Sequence, residues 1–414
     1  MRAMLLADEL IKKNHKVTLI SSCFFHQRKI FRSKKFTTIN VKKNLIVELI
    51  PSLGYQKHIG LRRLIDHLIL SINLYKFLKK RKDFIPDRIF LGYPPIETSF
   101  VIIKWAKKLS IPVMLDVKDN WPENFIEAFP ENFRIIARLL LYPYFNLSKF
   151  IFRNSDSITS ITDSFIDWIK SFSKRGNRHL KNSEDKFYVS PLVRKKIRLS
   201  KSRCRDANIF WLKRNLNVLE RKHFSFVGSL SNSFDFNLIF DIANFTLGKY
   251  PNHKFVICGS GERFSELSNL FKDLPNVFLM GEVNKYNSAF LLSNSIATLA
   301  PYKNTPNFKN SIPNKVIESL EYSVPFITRT EGDLKNLIKK FDNGIFLDSQ
   351  VNEVNAIVKI IEDKKYREIL CKNACKSYKQ LFDFQKIYSR IIINIENMDR
   401  NLTSNKTLTS KKNK

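Results

Sequence analysis

The stretch Ser311-Ile312-Pro313-Asn314-Lys315-Val316-Ile317-Glu318-Ser319-Leu320 has the residue types and spacing in this sequence that most directly suggest chemistry. Pro313 stands where a helix would start, because its fixed φ suits a first turn. Lys315 and Glu318, three apart, then share one face near the positive end of that helix. An amine and a carboxylate so placed suit a nucleoside diphosphate, with the amine beside the phosphates and the carboxylate accepting the two ribose hydroxyls. The same spacing also describes an exposed i,i+3 ion pair, and the residues alone leave both readings open.

Two glycine turns point the same way. Gly228-Ser229-Leu230 and Cys258-Gly259-Ser260-Gly261-Glu262 each follow a short apolar run. Glycines at a strand-to-helix turn let backbone N–H groups approach a phosphate, although an ordinary tight turn uses the same residues.

Positioning these groups requires strands and helices in alternation, and the sequence supplies two rounds of it. In the first half, apolar runs predict strands at Val17 to Ser21, Leu45 to Ile50, Arg88 to Gly92, Pro112 to Asp116 and Ser157 to Ile161. Helices are predicted at Ala3 to Lys13, Leu61 to Lys80, Ile96 to Leu109, Phe133 to Arg153 and Asp163 to Phe172. A doubly wound domain ordinarily opens with a strand and a Gly-rich turn; neither precedes Ala3, so this domain (1–172) is read as lacking its first strand. Residues 173–221 are basic and weakly periodic, as in a linker. A second Rossmann-like domain is predicted over 222–382, with six strands at His223 to Val227, Lys254 to Cys258, Val277 to Met280, Ile296 to Ala300, Pro325 to Thr328 and Gly344 to Leu347. A terminal helix over 383–398 and a disordered basic tail over 399–414 complete the chain.

With 414 residues and 43% hydrophobic content, the chain is long enough for two cores. The net charge of +33 favours an anionic partner, or reflects a compositional bias shared by the whole proteome. Arg194, Lys195, Lys196, Arg198, Lys201, Arg203 and Arg205 form the densest basic run. No apolar stretch reaches the roughly 20 residues of a membrane span, and Asp8, Glu9, Lys12 and Lys13 interrupt any leader, so a cytoplasmic location is expected. Five scattered cysteines without CxxC spacing suggest reduced thiols and no structural zinc.

The order and spacing of these elements resemble the retaining glycosyltransferases of family four. Ser225 to Leu230 is similar to that family's first strand and turn, Val256 to Glu262 to its GxGxE turn, Asn276 to Gly281 to its NVxFLG strand, and Ala300-Pro301-Tyr302 to its xPY loop. The Pro-Asn-Lys helix with Glu318 follows. In the first half, Leu5 to Ser22 is similar to LAxxLxxxGHxVTVxTS, and Asp116-Val117-Lys118-Asp119-Asn120-Trp121-Pro122-Glu123 resembles the DxRDxWPE turn of cell-surface polysaccharide members.

The resemblance implies an α/β protein of the GT-B fold, two Rossmann-like domains facing each other across a cleft. It implies transfer of a sugar from a nucleotide diphosphate donor to a hydroxyl acceptor with retained configuration and no required metal or other cofactor. Glu318 would hold the ribose and Lys315 the diphosphate. Gly228, Ser229, Gly259 and Gly261 would give close backbone approach, Ser311 and Asn314 would hydrogen-bond the donor, and Tyr302 would line its site. Asp116 and Asp119 would be the catalytic pair on the acceptor side, unless they are helix caps. The sequence departs from the pattern in three places: Ser231 to Phe236 lacks the usual Arg and Lys pair, Asn310 replaces a glutamate, and Ser323 replaces a glycine.

The basic, apolar segment Phe133 to Arg153, kinked at Pro143, suits either a core helix or the interface of an anionic membrane. Together these features predict a peripheral enzyme at the inner face of the cell membrane that extends a lipid-linked saccharide in lipopolysaccharide, O-antigen or related polysaccharide synthesis. The alternatives are a nucleotide-sugar 2-epimerase of the same fold, and a non-catalytic basic protein binding membrane or nucleic acid. No helix-turn-helix, RNP or zinc signature supports nucleic acid.

Overall fold

The computed structural model describes residues 2–56, 60–127, 129–174, 186–348 and 350–398. These divide into two compact units. One holds the described residues up to Ser190 together with those from Ile387 onward, and the other runs Pro191–Lys386.

Unit 1 carries β1 (Val17–Ser22), β2 (Phe24–Phe25), β3 (Ile30–Phe31), β4 (Thr37–Lys42), β5 (Leu45–Ile50), β6 (Ile89–Tyr93), β7 (Val113–Val117), β8 (Ser157–Ser160) and β9 (Phe187–Val189). They form two main sheets among the described residues, β1-β5-β4 and β6-β7-β8-β9. All pairings within the second are parallel, whereas β4 runs antiparallel to β5 with an irregularity between Asn40 and Lys42. One apolar cluster serves both sheets: Ile20 and Ile50 meet Ile89 and Leu91 under Leu74 and Leu78 of the helix Leu61–Lys80. Burying these side chains stabilises the pairing of helix and sheet at roughly 25 cal/mol per Å² of apolar surface. The helix predicted over Phe133 to Arg153 is two helices, Arg134–Leu140 and Tyr142–Asn154, bent by 62°. Pro143 explains the break, since it cannot continue a helix but is well placed in the first turn of the next.

Unit 2 is a six-stranded parallel sheet of β10 (His223–Val227), β11 (Lys254–Cys258), β12 (Val277–Leu279), β13 (Ala297–Leu299), β14 (Phe326–Thr328) and β15 (Gly344–Phe346), in the order β12-β11-β10-β13-β14-β15. Each strand is nearly charge-free, as expected of strands covered on both faces. The chain winds outward from β10 to β12, then returns to place β13 on the other side of β10. That reversal is the point where open α/β sheets bind ligands.

The stretch read as linker contains more order than its weak periodicity predicted. Lys201–Leu212 is a helix whose Trp211 is fully buried and donates through Nε1 to Asn287 O at 3.2 Å. Residues 175–185 of that stretch, and the tail from 399, lie outside the described residues. The last helix, Phe384–Glu396, packs from Ile387 onward in unit 1, where Glu396 meets His15 Nε2 at 2.8 Å. Among the described residues no single helix is long and apolar enough to cross a membrane.

Candidate functional site

The helix Asn314–Glu321 starts at Pro313, whose extended backbone (φ −67°, ψ 150°) leads directly into the first turn. Buried Val316, Ile317 and Leu320 fix its inner face. Lys315 and Glu318 are thereby carried to the mouth of the reversal between β10 and β13. There they line a small cavity with Ser225, Val227, Thr298 and Ala300.

Lys315 Nζ donates to Val227 O, the last residue of β10, at 2.6 Å, and lies 5.2 Å from the centre of the Phe226 ring. Burial pushes this amine down to about 8, with the Glu318 carboxylate opposing and the Arg194 guanidinium assisting the shift. Glu318 is pushed above the usual carboxylate range by burial, against the pull of Arg194 and Lys315. Its carboxylate accepts a hydrogen bond from Arg194. The Lys315–Glu318 pair expected from the sequence is therefore a triad. Arg194, 124 residues away in the chain, has no local pattern that would announce it.

The glycines work differently from the expectation. A Cβ on Gly228 would stand 1.4 Å from Lys315 Nζ, and one on Gly259 would stand 1.7 Å from Gly228 O. The close approach is thus between the two turns and to the lysine. The N–H groups of Gly228 and Gly259 donate to Cys258 O (2.8 Å) and Gly281 O (2.7 Å), so those two donors are committed inside the protein. Ser229 and Gly261 are exposed on the same turns, Ser311 is buried and Asn314 is exposed at the helix start. Tyr302 is buried, its ring 4.8 Å from both Phe234 and Phe308, and burial with the Glu318 charge raises its hydroxyl pKa. It lines a second pocket with Asp235, Lys303 and Arg329.

In unit 1 the two aspartates separate. Asp116 is a β7 residue with a fully buried carboxylate, 3.5 Å from Arg2 Nε and 3.0 Å from Lys118 Nζ. Its carboxylate is shut off from solvent between these two cations, whereas the sequence reading places it on the acceptor side of the site. It is also inside the strand and caps no helix. Asp119 is on the loop after β7, partly exposed, and raised by burial against the pull of Lys118 and Arg63.

Around that loop lie groups to which the sequence assigned no role. Glu123 is pushed up to about 7 by burial. His67 Nδ1 lies 3.8 Å from Glu97 Oε2, and burial holds the imidazole down at about 3. Arg63 stacks 4.7 Å over Trp121. Glu97 and Glu123 are on the helices that follow β6 and β7, whereas His67 is inside the helix Leu61–Lys80. No group of three or more His, Cys, Asp or Glu among the described residues is arranged to hold a metal ion.

Residues 209–377 match the family model described as glycosyl transferases group 1. No curated protein matches the chain. Among solved structures, sucrose-phosphate synthase from Thermosynechococcus elongatus is similar, with TM-score 0.69 and 13% identity over 94% of this chain and 90% of that one. Anabaena HepE in complex with UDP gives 0.60 and 15%, covering 84% and 86%. WaaG, described as a glycosyltransferase involved in lipopolysaccharide biosynthesis, gives 0.59 and 13%, covering 95% of both chains. The chain thus has the GT-B fold, and its residues 209–377 are similar to the group 1 glycosyl transferases.

Proposed function

We propose that this protein is a retaining glycosyltransferase of family four. It would move a hexose from a nucleotide diphosphate sugar to a lipid-linked saccharide during cell-envelope polysaccharide synthesis. The observation that carries this reading is the placement of Lys315 and Glu318 together at the reversal point of the unit 2 sheet. In the reaction, the bond between the anomeric carbon and the diphosphate oxygen breaks, and the acceptor oxygen bonds to the same face of that carbon. Lys315 offsets the charge that develops on the departing diphosphate, so no metal is called for. Glu318 accepts hydrogen bonds from the ribose hydroxyls. Asp119 in unit 1 orients the acceptor hydroxyl and takes its proton, a role that its raised pKa favours. The UDP complexes of HepE and the lipopolysaccharide role of WaaG support the donor and acceptor classes as analogies of fold.

A membrane location at the cytoplasmic face fits the same reading. Ile135, Leu139 and Leu140 on the helix Arg134–Leu140 are 75%, 71% and 73% exposed beside Arg134 and Arg138, an arrangement suited to the interface of an anionic bilayer. The experiment that tests the donor site is titration of the full chain with UDP, GDP and dTDP, followed by thermal unfolding. At least one should raise the unfolding temperature of the wild type and fail to do so for Glu318→Ala. No shift with any of the three would remove the proposal.

A further inference from the structure

We infer that Arg194 is a third member of the donor site, the guanidinium that neutralises the diphosphate of the nucleotide. This deepens the proposed function and rests on it.

Arg194 comes from an extended stretch, residues 191–200, that runs along the helix Asn314–Glu321. Two residues on, Lys196 Nζ donates to Glu321 O at 2.7 Å and lies 5.3 Å from the centre of the Tyr322 ring. The stretch is thereby moored to the end of the helix, which sets Arg194 against Glu318 one turn back. The Arg194 side chain is 39% exposed and that of Glu318 is 13% exposed, so Arg194 is the more accessible partner of the pair. A ligand that bonds to the Glu318 carboxylate does so beside the Arg194 guanidinium.

Charge balance says what Arg194 does there. Lys315 and Glu318 sum to zero, whereas a nucleoside diphosphate brings about two negative charges or more. The turn from Gly228 to Phe236 contains no lysine or arginine. Arg263, after the second turn, is committed to Glu266 through Nε at 2.8 Å. Arg194 is the further cation whose field reaches both Lys315 and Glu318. When ribose hydroxyls take over the Glu318 carboxylate, the guanidinium is released. Its planar fork suits two phosphate oxygens at once, and Lys315 already stands beside it. Arg194 thus holds Glu318 while the site is empty and turns to the phosphates when it fills.

The test compares binding of UMP and UDP to the full chain by calorimetry, in wild type, Arg194→Gln and Arg194→Lys, with the GMP/GDP and dTMP/dTDP pairs run alongside. Arg194 is substantially exposed, so the variants should keep the wild-type unfolding temperature. For the base that binds, wild type should prefer the diphosphate. Arg194→Gln should lose about tenfold or more in diphosphate affinity with little change for the monophosphate, and Arg194→Lys should fall between. Unchanged affinities in Arg194→Gln would overturn the inference while leaving the donor site standing. Equal tightening of both nucleotides would also overturn it, since Arg194 would then only compete for Glu318. Failure of wild type to bind any of the six would overturn both this inference and the proposed function.

Discussion

Lys315 Nζ is tied to the carbonyl of Val227 at 2.6 Å, which fixes the partly buried amine of the helix start to the end of the sheet's first strand. Its pKa, held at about 8, gives nucleotide binding a defined pH dependence. A diphosphate favours the charged amine, so binding takes up a proton above about pH 8. Affinity for the nucleotide should be level from pH 6.5 to 7.5 and fall about tenfold by pH 9.5, as measured by calorimetry. Lys315→Met should bind more weakly and lose that slope. In the ligand-free fold the sign is reversed: the native amine releases its proton near 8 and the unfolded one near 10.5, so this group adds stability as pH rises between those values.

Gly228→Ala and Gly259→Ala should fail in different ways. At Gly228 the new methyl collides with the flexible end of Lys315, so the amine moves, nucleotide affinity drops and the unfolding temperature changes little. At Gly259 it meets the carbonyl of Gly228, which cannot move without opening the turn. That variant should lose about 1–3 kcal/mol of stability in denaturant titration.

Asp116 and Asp119 should also separate on substitution. Asp116→Ala leaves Arg2 buried without its counter-charge and should cost about 3–5 kcal/mol in thermal or chemical unfolding. Asp119→Ala, on a partly exposed loop, should fold normally and lose sugar transfer to a membrane-extracted acceptor.

Glu123 carries a pH signature of its own. Its native pKa of about 7 lies above the ordinary 4.5, so its contribution to stability is complete below about 4.5 and is lost as pH rises through 7. Glu123→Gln should therefore gain stability relative to wild type between those values, with the gain level above pH 8. Unfolding temperatures measured across pH 4 to 8.5 give the comparison.

Replacing Ile135, Leu139 and Leu140 together with serine should leave the unfolding temperature unchanged, because these side chains are exposed. The variant should nevertheless sediment much less with vesicles containing anionic lipid at low salt. Equal sedimentation of variant and wild type would assign membrane contact to another surface.

Much of unit 2 could be read from the sequence because its strands are charge-free runs bounded by turns. β10 and β11 begin and end at the predicted residues for that reason. β4 was missed because an edge strand with one residue in partial contact and five exposed, Thr-Thr-Ile-Asn-Val-Lys, leaves no apolar stripe. The helix Lys201–Leu212 was read as linker because its burial rests on Ala207 and Trp211 alone within a run of charges. At the site, Lys315 and Glu318 were legible because one helical turn brings them together. Arg194 was not, because tertiary structure alone brings it to Glu318. Asp116 and Asp119 looked equivalent in sequence, yet one points from inside a strand and the other lies on the loop beyond it.

The most direct test of the central claim is an experimental structure of the full chain soaked with the nucleotide diphosphate that stabilises it. The account predicts the diphosphate within about 4 Å of the Lys315 amine and the ribose hydroxyls on the Glu318 carboxylate. A nucleotide bound away from the start of the helix Asn314–Glu321, with Glu318 still held by Arg194, would contradict it.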